Sequence, residues 1–266
     1  MRSTSVMNLY LPKLSEQMSA CIDDVSAWMK SNRLQLNPAK TEVLWCSSSR
    51  RQHQIPSGPV RVGNTSVLPV SAVRNLGVYI DADVTMSTHI TAIVRACFAG
   101  LRQIRSVRRS QTMEALLTLI HSLVVSKVDY CNTVLVNVST TPQSRLQLVL
   151  NAAARLMYSA RTNEHATPLL RELHWLRVPE RIKFRLCAIA HRCLHGTAPP
   201  YLAEMLQMSV GVGARQRLRS ASTSTLVIPS TRQSTIGDRA FPAAALRAWN
   251  SLPSQIRNTD SKTAFR

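Results

Sequence analysis

Residues 86–109 read MSTHITAIVRACFAGLRQIRSVRR, and two features of this stretch set the fold. Ile90, Ile93, Val94, Cys97, Leu101 and Ile104 recur at three- and four-residue steps, which lays them along one stripe of an α-helix. Arg102, Arg105, Arg108 and Arg109 repeat the same step at the far end and project together from one side. The stretch therefore predicts a helix with an apolar stripe and a basic tip.

Downstream the helical pattern continues. Leu116, Leu117, Ile120, Leu123, Val124 and Val128 form a second stripe. Thr141 followed by Pro142 reads as an N-cap with proline at the first helical position, and Leu146, Val149, Leu150, Ala153 and Leu156 share a face after it. Pro179 opens another helix through Ile182, Phe184, Leu186 and Ile189, which Gly196 closes. Past 208 the chain turns rich in Ser, Thr and Arg, with a short strand at 226–228 and a last helix near 239–250.

Upstream the texture is mixed. Leu14, Met18, Cys21, Val25 and Trp28 predict an amphipathic helix over about 11–33, stopped by Asn37-Pro38. Residues 42–46 read as a strand and 47–59 as a polar, basic loop. Val60 to Leu68 reads as a hairpin turning at Gly63-Asn64, and 76–80 as a further strand. The fold class predicted is α+β, mostly α, in three parts: a strand-containing part (1–85), a helical domain (86–160) and a helical or loop-like C-terminal region (161–266).

Charge points to the partner. The 266 residues carry 33 Lys and Arg against 14 Asp and Glu, a net +19. Residues 86–232 hold 19 cations and 6 anions, net +13, so the excess sits in the helical part. Of the 33 cations 27 are arginine, whose planar fork donates two parallel hydrogen bonds to a phosphate where lysine offers a point charge. Such an excess predicts a polyanion, most simply nucleic acid. With 5% aromatic residues, base stacking is not the main mode, and duplex shape and phosphates are the expected target. The basic groups are Arg102/Arg105/Arg108/Arg109, then Arg177/Arg181/Lys183/Arg185, then Arg215/Arg217/Arg219.

Other classes are weakly supported. The longest strongly apolar run, 115–126, is too short to span a bilayer, so no membrane partner is expected. Six scattered cysteines without a CxxC pair predict reduced, mostly buried thiols in an intracellular protein, cytoplasmic or nuclear. Asp23-Asp24 falls mid-helix, where adjacent side chains diverge by about 100°, and is expected on a solvated surface rather than at a metal. Asp81 and Asp83 follow a strand and are expected to cap a loop. Cys187, His191, Cys193 and His195 gather metal-ligand types within nine residues, but structural zinc draws on two segments, so packing roles are expected. No metal site is predicted.

The order of several short blocks carries a resemblance. Trp28-Met29, Asn32, Leu34-Gln35-Leu36-Asn37 and Lys40-Thr41-Glu42 resemble a stretch of the reverse transcriptases of non-LTR (LINE-like) retrotransposons. Leu76-Gly77-Val78, Asp81 and His89-Ile90 resemble the strand and helix that follow it there. Asp129-Tyr130-Cys131-Asn132, Asn151-Ala152-Ala153-Ala154-Arg155, Leu173-His174-Trp175-Leu176 and Trp249-Asn250-Ser251-Leu252-Pro253 continue in the same order. The resemblance spans about 21–266, nearly the whole chain.

The resemblance implies an RNA-directed DNA polymerase represented by the end of its palm (1–85), its thumb (86–160) and its C-terminal region (161–266). Lys40 then matches a palm lysine that assists the pyrophosphate leaving group, and Leu76-Gly77 the hairpin that grips the primer. The family's metal-binding aspartates precede the Trp-Met block, and no aromatic-x-Asp-Asp run stands in this chain. Phosphoryl transfer in that family needs the two-metal clamp those aspartates hold, so this chain alone is expected to be inactive and to carry no cofactor, Mg²⁺ belonging to the full-length polymerase. The nucleic-acid-binding residues expected are Leu76, Gly77, Arg102, Arg105, Arg108, Arg109, Arg181, Lys183 and Arg185. RNA, DNA and RNA–DNA hybrid all remain open as partner, as does the oligomeric state. A non-catalytic protein–protein interaction module and a product without function also stay open.

Overall fold

The structure is a computed structural model that describes residues 3–206, 226–231 and 236–257. The predicted cluster Arg215/Arg217/Arg219 lies outside the described residues. The chain is mixed α+β and mostly helical, with two small antiparallel sheets. It divides into two compact units, Met1–His89 and Ile90–Arg266.

The first unit holds helix α1 (Ser3–Ser31) and two hairpins. Strands β1 (Val60–Val62) and β2 (Thr65–Val67) pair as predicted around Gly63-Asn64. Only Gly63 takes a positive φ there, at 59°, the habit of a turn with glycine at its first central position. Val60 and Val62 are buried while Arg61 points outward, the alternation of a half-covered strand. The second hairpin joins β3 (Ala72–Asn75) to β4 (Val78–Asp81), with Asn75 opposite Val78. Leu76-Gly77 is thus the tip of a hairpin and not the start of a strand, and its first arm lies in a stretch without strand-like alternation.

Two expectations for this unit fail. Residues 42–46 form no strand: Val43 makes a single parallel bridge to Pro69. The bridge is closed by the Val70 N–H, which donates to the Val43 carbonyl at 2.8 Å. The apolar stripe of α1 also turns away from the hairpin, with Leu14, Val25 and Trp28 exposed, Trp28 to 62%. The covered side is mixed: Ser19 is buried, and Met18, Ile22, Asp23 and Met29 are half-buried. Ser19 donates to the Arg61 carbonyl at 3.2 Å, and the Arg61 guanidinium pairs with the Asp23 carboxylate.

The second unit begins in helix α2 (Ser87–Val107), whose predicted stripe is its buried face: Ile90, Ile93, Cys97, Leu101 and Ile104. Helix α3 (Met113–Ile120) starts where the Thr112 hydroxyl accepts from the Ala115 N–H at 3.2 Å. One π-helical turn, His121–Val125, links it to α4 (Ser126–Asp129). Leu116, Ile120, Val124 and Val128 are all buried, so the apolar row runs unbroken through the π turn, whereas Leu123 points out.

Helix α5 (Thr140–Tyr158) starts two residues earlier than predicted, with Ser139 at the N-cap. Pro142 remains harmless in the first turn, whose N–H groups have no helical partner. Its face of Leu146, Val149, Leu150, Ala153 and Leu156 is buried as predicted. After α6 (Ala166–Glu172) comes α7 (Val178–Leu194), opened by Pro179 and closed at Gly196 with φ 66°. There Thr197 N–H reaches the Arg192 carbonyl at 2.9 Å, closing a glycine-capped end. Phe184, predicted on the core face, is instead 38% exposed.

Helices α8 (Pro200–Ala203), α9 (Phe241–Asn250) and α10 (Ser254–Arg257) complete the described chain. Ala243, Ala244 and Ala245 keep α9 thin where it meets α7, and Trp249, Leu246, Leu226 and Ala190 form one buried cluster. Residues 226–228 form no strand. Leu226 is a single bridge residue, and the Asn250 side-chain amide accepts from its N–H at 2.9 Å and donates to its carbonyl at 2.8 Å.

Candidate nucleic-acid interface

Two places, one in each unit, gather the residues singled out above. In the second unit the basic tip of α2 meets the end of α5. Arg105, Arg108 and Arg109 line a cleft of about 520 Å³ together with Arg155, Ser106 and Ser159. Two of the four guanidiniums are fixed by backbone. Arg108 donates to the Leu156 carbonyl at 2.7 Å and the Met157 carbonyl at 3.2 Å, groups left orphaned where α5 ends. Arg155 donates twice to the Glu164 carbonyl, at 3.0 and 2.8 Å. Arg105 and Arg109 are exposed, and among the described residues neither has a carboxylate partner. No carboxylate lines the cleft. The nearest in sequence, Glu164, turns its side chain onto the Arg161 N–H at 2.6 Å.

Such a cleft suits one chemistry. Four arginines lining one hollow, two of them held by backbone carbonyls, present a concentrated positive field with donors for phosphate oxygens. Arg102 is exposed on the same helix but outside the lining. Arg155 is an addition to the expected residues. It joins the group only because two helix ends, 51 positions apart in the chain, come together.

The later cluster divides. Arg181 is not available to a ligand in the way expected, since its guanidinium binds Asp129 at 2.7 Å and the Leu176 carbonyl at 2.8 Å. Arg185, one turn on, lines the same side, whereas Lys183 faces a different hollow bordered by Val136, Pro179 and Arg247.

In the first unit the second hairpin carries Leu76-Gly77. Both residues take positive φ, 46° and 85°. For glycine this is free, but a leucine there is strained. The side chain of Leu76 is 85% exposed at the tip. Behind it Arg74 lies over the Tyr79 ring, 5.6 Å from its centroid. The base of the hairpin is built around buried polar groups. Asp81 accepts from the Thr88 N–H and the Thr85 hydroxyl at 3.3 Å, and Asp83 from Thr85, so both aspartates cap the approach to α2.

His89 is 2% exposed and accepts the Tyr79 N–H on Nδ1 at 3.4 Å. Burial lowers its pKa, against a smaller upward pull from Asp81. The fold therefore favours neutral imidazole, while the unfolded chain takes up a proton near pH 6.5. Stability carried by His89 is complete above about pH 6.5 and falls as the pH drops below it. Denaturation of the chain at pH 7.5 and about 5.5 is expected to show this loss, and His89→Gln to diminish it. Equal pH dependence in the two proteins would contradict the assignment.

Lys40 is exposed at the end of a short 3₁₀ turn, Pro38–Lys40, that Asn37 caps through Ala39 N–H at 3.0 Å. Asp23 is held by Arg61, which keeps its carboxyl below the usual range. Cys187, Cys193 and His191 are buried in α7, and burial pushes the Cys187 thiol up to about 11. Cys97 is likewise buried, but Cys21, Cys46 and Cys131 are exposed, so half of the thiols are not core residues. Among the described residues no three His, Cys, Asp or Glu side chains come together as a metal site. No described helix is long and apolar enough to cross a membrane. No family model, no curated protein and no solved structure matches the chain.

Proposed function

We propose that the chain derives from a non-LTR retrotransposon reverse transcriptase and binds template–primer nucleic acid through phosphate contacts, without polymerase activity of its own. The observation that carries the proposal is the arginine cleft between the ends of α2 and α5, with no carboxylate in its lining. It draws weight from the net +13 of residues 86–232 and from the ordered sequence blocks. The strained, exposed Leu76 at a hairpin tip fits a part that touches a nucleic-acid strand, since backbone strain gathers at functional positions. Asp23, Asp81, Asp83 and Asp129 each answer a neighbouring group.

Primer extension on an RNA template with Mg²⁺ and nucleotides tests the catalytic half. The expected result is no product, and processive extension by this chain alone would overturn it. A second reading, a protein–protein interaction module, has one observation in its favour, the exposed Leu14, Val25 and Trp28 of α1. Hybrid binding that survives loss of the α2 arginines would favour it.

A further inference from the structure

Three local departures from regular backbone converge on one groove of the second unit. The π turn His121–Val125 widens the helix there and sets His121 at its rim, edge-on to the buried Trp175 at 5.5 Å. Cys131, two residues past α4, takes φ 49°, a left-handed conformation that glycine or asparagine normally fills. His174 takes φ 53° just past α6, again where glycine is usual. A π turn and two strained residues cost stability, and such features persist mainly where the arrangement serves a site.

The groove consists of two adjoining hollows of about 610 and 400 Å³ that share Asp129 and Arg185. Its floor is neutral, because Asp129 and Arg181 bind one another at 2.7 Å with both side chains largely covered. That leaves Arg185, exposed and without a carboxylate partner among the described residues, as the cation common to both hollows. An aromatic ring stands in each. Tyr130, 52% exposed, lines the larger hollow, and Phe184, 38% exposed, lines the smaller. Hollows with a ring apiece and one shared guanidinium offer the kinds of group that a base, a phosphate and a second base bind.

We propose that this groove binds an unpaired segment of single-stranded nucleic acid, one base against Tyr130, the next against Phe184, and the phosphate between them on Arg185. The inference rests on the nucleic-acid reading above and adds a second kind of contact, base stacking, at a place distinct from the arginine cleft. The neutral floor fits this use. A groove for phosphates alone would gain from an unpaired Arg181.

A short fluorescent oligouridine and an RNA–DNA hybrid, titrated separately onto the full chain, test the proposal. Tyr130→Ala combined with Phe184→Ala is expected to weaken oligouridine binding about tenfold or more and to leave hybrid binding unchanged. Tyr130→Phe keeps the ring and is expected to keep the affinity, and Arg185→Gln to lower it. Cross-linking with 5-iodouridine oligomers is expected to label Tyr130, or residues bordering the same groove. Oligouridine affinity unaffected by the double variant, or no oligouridine binding by a chain that binds the hybrid, would overturn the groove while leaving the duplex reading intact. Failure of both ligands would overturn the two together.

Discussion

Replacing Arg102, Arg105 and Arg109 together by glutamine is expected to weaken binding to an RNA–DNA hybrid about a hundredfold at physiological salt. The size follows from counterion release. Each guanidinium that neutralises a phosphate frees close to one condensed cation, and three such contacts multiply. The fold should tolerate the change, because these side chains are exposed and none has a carboxylate partner among the described residues. Arg108 is left in place on purpose. It satisfies two carbonyls at the end of α5, so its removal would confound lost binding with lost structure. Fluorescence anisotropy gives the affinity, and a thermal unfolding curve checks the fold. Affinity within twofold of the parent protein would move the account to a protein–protein module.

Trp249→Ala is expected to destabilise the second unit more than any of the arginine or groove substitutions. Trp249 is wholly buried, with Leu226, Leu246 and Ala190 around it and the His191 ring centroid 6.3 Å away. Truncating such a side chain removes its transfer free energy and leaves a cavity, together about 3–5 kcal/mol. That is a large share of the stability of an ordinary domain, about 5–15 kcal/mol. The substitution also loosens α9 from α7 and the Leu226 segment that Asn250 holds. Urea denaturation followed by circular dichroism gives the value. A loss below about 1 kcal/mol would mean that the α7–α9 cluster is not a core in the sense of its burial.

The helices are legible in the sequence because their apolar spacing is strict. The α2 stripe, the α5 face and the glycine at the end of α7 need only the rules of helical periodicity and capping. Strands fare worse because short apolar runs do not fix their pairing. Val43 makes one bridge, closed by the Val70 N–H, and Leu226, a bridge residue, is also held by the Asn250 amide. The packed face of α1 departs from the prediction: Leu14, Val25 and Trp28 of the stripe are exposed, while the covered side joins Met18, Ile22 and Met29 to Ser19 and Asp23, both bonded to Arg61.

For the site, spacing alone brings Arg105, Arg108 and Arg109 together. It cannot supply Arg155, which arrives from another helix, nor show that Arg181 belongs to Asp129, 52 positions earlier. The groove beside Arg185 is illegible for a different reason. Its shape depends on left-handed Cys131 and His174 and on a π turn, and none of these has a residue signature comparable to glycine.

The most direct test of the account is the salt dependence of hybrid binding, measured for the parent chain and for the Arg102/Arg105/Arg109 variant. Plotted as log affinity against log salt concentration, the parent line is expected to fall steeply, and the variant line to be shallower by about 2.7, close to 0.9 for each arginine removed. An affinity that does not change with salt, or equal slopes for the two proteins, would contradict a phosphate grip at the end of α2.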